Sequence, residues 1–141
     1  MLAQIAMIGS AGVILMLGMA HLAYTFFGDK FHPRDAALLE GMKTTSPVIS
    51  RQTSIWKAWI GFNASHSLGA ILFGVVFGYL AIQEPALLFH SSVLGVAGFL
   101  TLSAYLWMAQ SYWFTRPLQG ISVAFLFYVA AFCLAHFASF A

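Results

Sequence analysis

Four long apolar stretches, at residues 2–27, 55–82, 86–110 and 117–140, carry only one formal charge among them, that of Lys57 near the start of the second. A helix needs about 20 apolar residues to cross a hydrocarbon core of about 30 Å, and a longer one crosses with some tilt. Inside a bilayer every backbone polar group must find its partner within the protein, which leaves only helices or closed barrels. No ten-residue alternating pattern recurs along the chain, so a barrel is excluded. The expected fold is therefore all-α: one domain over residues 1–141, a four-transmembrane-helix bundle. Composition agrees, with 61% hydrophobic and 7% charged residues, where soluble domains carry about 25% charge. The same figures exclude a disordered chain. The first residues, Met1 to Gln4, hold no Lys or Arg, and the run that follows is too long for a secretory signal core, so it reads as a span.

Proline marks where helices begin. Pro33, Pro47, Pro85 and Pro117 each suit a first helical position, where the missing N–H costs nothing. Ser46 before Pro47 is a plausible N-cap, which would start the second long helix near Pro47, ahead of its apolar stretch. Residues 33–42, with Ala37, Leu38 and Met42 apolar and Gly41 near the end, read as a short amphipathic helix in the first loop, suited to a membrane surface. Gly74 and Gly78 form a G-x-x-x-G pair that Ala70 extends. Such a stripe lets helices approach closely, within one chain or across a homo-oligomer.

Charge sets the expected orientation. Lys30, Arg34, Lys43, Arg51 and Lys57 lie in or beside the first loop, and Arg116 lies in the third. The second loop, around Gln83, Glu84 and Pro85, has a carboxylate and no base. The positive-inside rule then places the first and third loops in the cytoplasm and both termini opposite, periplasmic if the membrane is a bacterial inner membrane. Trp56, Trp59, Trp107 and Trp113 gather on the basic side, either as an interfacial belt or as the rim of a ligand entrance.

Polar residues within the spans are the functional candidates, because lipid makes them costly. Trp59, Asn63 and His66 recur at i, i+4 and i+7 and so share one helical face, with Trp56 a turn away and Ser67 beside it. His21 and Tyr24 lie on the first helix. His21 is six residues before Phe27, and His66 is seven beyond Trp59. At 1.5 Å per residue these are depths of roughly 9 and 10 Å, so the two histidines can share a layer. Tyr105 joins them from the third span. The expected ligand site is His21, Tyr24, Trp56, Trp59, Asn63, His66, Ser67 and Tyr105, on the cytoplasmic side of the membrane with an apolar floor.

Four roles suit the histidines: interhelical hydrogen bonds, anchors for a polar headgroup, paired axial ligands for haem, and acid–base catalysis by His66. No other metal site is expected, because no Asp or Glu lies within a span. A formal charge of +2 is too small for nucleic-acid binding. Cys133 stands alone, so no disulfide forms within the chain. A proton pump would want a buried carboxylate, and a voltage sensor a row of arginines.

Two resemblances follow from these residues. The four spans, long first loop and outward termini resemble the MAPEG family of membrane enzymes of eicosanoid and glutathione metabolism. That family carries Arg-x-x-x-Asn-x-x-Glu where this chain has Trp59-x-x-x-Asn63-x-x-His66, so Asn63 is the position shared. The likeness implies an enzyme acting on a lipid-like substrate. The stretches 21–27 and 56–69 are also similar to those of an uncharacterised family of small four-span bacterial membrane proteins. The expected function is binding of a lipid-like or quinone-like amphiphile, with membrane lipid or such a molecule as partner. A lipid-modifying enzyme and a bis-histidine haem electron-transfer subunit are the alternatives.

Overall fold

The computed structural model describes residues 1–137. It is all-helical: α1 Leu2–Phe26, α2 Ala36–Thr44, α3 Ile55–Gln83, α4 Pro85–His90, α5 Ser92–Tyr112 and α6 Thr115–Phe137. Leu2–Phe26, Ile55–Gln83, Ser92–Tyr112 and Thr115–His136 are each long and apolar enough to cross a membrane. The protein is an integral membrane protein of four long helices. The far end of the fourth expected span, at Phe140, lies outside the described residues.

The helix starts depart from expectation where a side chain caps better than proline starts. Asp35 caps α2, its carboxylate accepting from the Ala37 N–H at 2.8 Å and the Leu38 N–H at 3.4 Å. The helix therefore begins after Pro33 and Arg34. Pro47 does not begin α3. Ser54 does, its hydroxyl accepting from the Lys57 N–H at 3.3 Å, and residues 45–54 form a loop instead. The third stretch starts at Pro85 but breaks at Ser91, whose hydroxyl accepts from the Leu94 N–H at 3.3 Å. A serine that caps a new helix competes with the backbone ladder and ends the old one.

Two compact units divide the chain, Met1–Leu17 with Ala70–Ala141, and Gly18–Gly69. In the first, stretches of all four long helices pack around Met7, Ile14, Phe77, Leu102, Ala124 and Tyr128. Gly74 is a point of close approach between α1 and α3: a β-carbon there would sit 2.6 Å from Leu15 Cβ and 2.8 Å from the Ala11 carbonyl oxygen. Only glycine allows that approach. Three polar side chains tie these helices by donating to backbone carbonyls. Gln4 Nε2 reaches Ala81 O at 3.2 Å, Ser10 Oγ reaches Ala124 O at 2.8 Å, and Tyr128 Oη reaches Gly95 O at 2.8 Å.

The second unit holds the end of α1, the loop through α2, and the start of α3. Gly28, at φ 94°, turns the chain just past α1. That left-handed backbone is open to glycine and strained for other residues.

Candidate functional site

Within the Gly18–Gly69 unit, α1 and α3 bring two histidines together. The His21 and His66 ring centres are 5.2 Å apart, nearly perpendicular at 71°. The two rings are in contact, as a shared layer allows. Ser67 lies buried beside them, and its hydroxyl contacts two groups: the Asn63 carbonyl oxygen at 2.8 Å and His21 Nδ1 at 2.8 Å.

Those two contacts assign the hydrogens. A carbonyl oxygen only accepts, so the single Ser67 hydroxyl hydrogen is donated to Asn63. With the Ser67 hydrogen on the Asn63 carbonyl, His21 takes the tautomer whose Nδ1–H donates to Ser67 Oγ. In the neutral ring that leaves Nε2 unprotonated, with a lone pair able to accept a hydrogen bond or bind an electrophile. The hydroxyl of Thr25, also buried, donates to the His21 carbonyl at 2.8 Å and holds the same turn of α1.

The remaining expected residues divide. Asn63 shares the relay through its backbone only, and its side-chain Nδ2 donates to the Trp59 carbonyl of its own helix at 2.8 Å. Trp59 is 41% exposed and donates Nε1–H to the Phe31 carbonyl at 3.2 Å. Trp56 stands edge-on to His32, with ring centres 5.0 Å apart. Tyr24 is exposed, its ring 5.4 Å from Lys30 Nζ, a distance suited to cation–π attraction. Tyr105 belongs to the other unit, packed against that unit's apolar core.

Phe31 is the residue that sequence reasoning missed, and His32 is one that its loop position marks as peripheral. The Phe31 ring lies 4.7 Å from the His21 ring. It also lines an open groove of about 360 Å³ together with Lys30, His32, Pro33, Met42 and Trp59. Trp59 is the one expected site residue on that groove; His21, Tyr24, Asn63 and His66 do not line it. The concavity thus opens toward the first loop, and Phe31 fills the place beside His21 where the sequence pattern puts a pocket. The cause is local: Gly28 reverses the chain, and the Trp59 indole pins the Phe31 carbonyl. Gly28 followed by an aromatic residue and a histidine is the signal that could have found them.

The pair does not suit axial haem ligation. With metal–nitrogen bonds of about 2 Å, two axial imidazoles face each other through the iron with ring centres about 6 Å apart and the porphyrin between them. At 5.2 Å the rings stand in edge-to-face contact, closer than that spacing. Among the described residues, no three His, Cys, Asp or Glu side chains gather as a metal site.

A second cavity, of about 610 Å³, lies in the other unit and is lined by Met1, Gln4, Pro85, Phe89, His90 and His136 among others. Its two histidines bond through Nδ1 to carbonyls of their own helices, Ala86 at 2.8 Å and Phe132 at 3.0 Å. None of the expected site residues lines it. No protein-family model matches this chain, and no curated protein or solved structure is detectably similar to it.

Proposed function

We propose that the protein binds a lipid-like or quinone-like amphiphile from the membrane, at the basic end of its Gly18–Gly69 unit. The observation that carries this reading is the relay from His21 through Ser67 to the Asn63 carbonyl. An imidazole oriented by a buried hydroxyl keeps a fixed acceptor nitrogen inside an otherwise apolar span. A bundle that needed only a helix tie would be served by one donor and one carbonyl, as at Ser10. The groove at Lys30, Met42 and Trp59 serves as the entrance, and Phe31 separates it from His21. In this reading the unit's five bases, Lys30, Arg34, Lys43, Arg51 and Lys57, put that end in the cytoplasm, by the positive-inside rule.

A ligand that suits the site, a lipid alcohol or amide or the quinol form of a quinone-like molecule, donates a hydroxyl or N–H hydrogen to His21 Nε2 and lays an apolar body along the spans. The test is mass spectrometry of small molecules that co-purify with the full chain, compared with its His21→Leu variant. A discrete amphiphile retained by the parent and lost from the variant is the expected result. Equal retention by both overturns the assignment to His21, and an empty parent overturns binding altogether.

A further inference from the structure

The loop between α2 and α3 carries an apolar tip that neither the fold nor the histidine site uses. The Ser50 N–H donates to the Pro47 carbonyl at 3.2 Å, closing a turn with Val48 and Ile49 at its two central positions. Turn centres ordinarily hold Pro, Gly, Asn, Asp or Ser, for reasons of backbone geometry and local hydrogen bonding. Two adjacent β-branched apolar residues gain nothing there from the turn itself. Among the described residues they are also the two most exposed of the large hydrophobic side chains, Val48 fully and Ile49 at 93%.

This tip is held rather than loose. The Ile55 N–H donates to the Thr45 carbonyl at 2.9 Å, tying the two ends of the loop, and the Ser50 hydroxyl accepts from the Gln52 N–H at 3.1 Å. Compact loops with tied ends are frequently functional.

Charge identifies the surface that the tip meets. Lys43 precedes it, Arg51 and Lys57 follow it, and no Asp or Glu occurs between Glu40 and Glu84. Lys43 pairs with Glu40 at 3.7 Å, while Arg51 and Lys57 have no acidic neighbour in sequence. An apolar knuckle with this net positive charge complements an anionic phospholipid surface, where basic side chains bind headgroups and apolar ones enter the acyl boundary. The loop also ends at Ile55, the first residue of a membrane-crossing helix, so a bilayer surface is close in the chain.

We propose that residues 45–55 dock on an anionic leaflet, with Val48 and Ile49 inserted below the headgroups and Lys43 and Arg51 bound among them. The proposal is independent of the ligand reading above. The test uses the full chain with Cys133→Ser, which removes the exposed native thiol, and Val48→Cys bearing an NBD fluorophore. Vesicles contain equal parts of phosphatidylcholine and phosphatidylglycerol. The expected result is blue-shifted emission, shielded from iodide and quenched by lipids carrying a nitroxide near the headgroup. The same label at Gln52→Cys should stay accessible to iodide, which separates insertion of the tip from partitioning of the dye. Emission at position 48 matching that at position 52 overturns the proposal. Shielding without quenching by nitroxide lipid also overturns it, because a protein surface or a second copy then covers the tip. Equal immersion in vesicles of phosphatidylcholine alone overturns the anionic preference, as does immersion unchanged by Lys43→Gln with Arg51→Gln.

Discussion

The two units of this protein use buried polar groups in different ways. In the unit built around Met7 and Tyr128, each polar tie is a single donor ending on a carbonyl: Ser10 on Ala124, Gln4 on Ala81, Tyr128 on Gly95. Each bond satisfies the donor, and the purpose is complete. In the Gly18–Gly69 unit, a side chain meets a side chain, as His21 donates to Ser67, which in turn donates to Asn63. That relay orients a ring and leaves one of its nitrogens with a lone pair. Tying helices together needs no such remainder. The contrast separates structural polarity from a candidate site on hydrogen-bond chemistry alone.

The comparison breaks most visibly at Gly74. Gly74→Leu forces a side chain into the Leu15 and Ala11 backbone contact and should cost at least about 1–3 kcal/mol, the usual range for overpacking. Thermal unfolding in detergent, followed by size-exclusion fluorescence, should show a large fall in Tm and loss of the monodisperse peak. An unchanged Tm would mean that α1 and α3 do not approach there.

Gly28→Ala comes next. It places a β-carbon at φ 94° and should cost about 1 kcal/mol or more. Hydrogen exchange should rise in residues 28–33, with the Ser10 and Tyr128 regions unaffected. Faster exchange throughout the chain would overturn a local role for Gly28.

The sharpest test pairs two serines. Ser10→Ala and Ser67→Ala each remove one buried hydroxyl, worth roughly 0.6–2 kcal/mol in a membrane interior. Their effects on Tm should be similar and small. Only Ser67→Ala should deplete the co-purifying amphiphile, because it frees the His21 ring. If Ser10→Ala empties the protein equally, the distinction between tie and site fails.

Trp59→Phe has the smallest expected effect. It deletes the bond to the Phe31 carbonyl while keeping an aromatic wall on the groove, a loss of about 0.5–1.5 kcal/mol at most. Ligand exchange should quicken as Phe31 loosens, with retained ligand at equilibrium little changed. Stopped-flow exchange against a labelled amphiphile measures it.

Much of this molecule is legible in its residues. Span number follows from apolar length, and a shared layer for His21 and His66 follows from counting rise per residue inward from two helix ends. Both are arithmetic on regular helices; that the two rings touch is a finding of the structure. The start of α3 is not legible, because Ser46–Pro47 and Ser54 offer competing caps and the choice rests on the closed loop between Thr45 and Ile55. The break at Ser91 is hidden for a similar reason: one hydroxyl redirects the chain inside a stretch that reads as continuous. Tyr105 and Tyr24 share the polarity of the site residues but not their place, since a helical face does not say which neighbour it meets.

By itself, the sequence determined the solvent, the number of long helices and the polar stripe Trp59–Asn63–His66, because hydropathy and helical period are local properties. Only the tertiary structure decided that Phe31 stands against His21, that Ser67 orients the ring, and that the groove opens toward Met42. Those outcomes depend on contacts between residues beyond one helix's local period, such as Trp59 with Phe31 and His21 with Ser67. A reversal at Gly28 and single hydrogen bonds from Trp59 and Ser67 select them, and no periodic pattern encodes such choices.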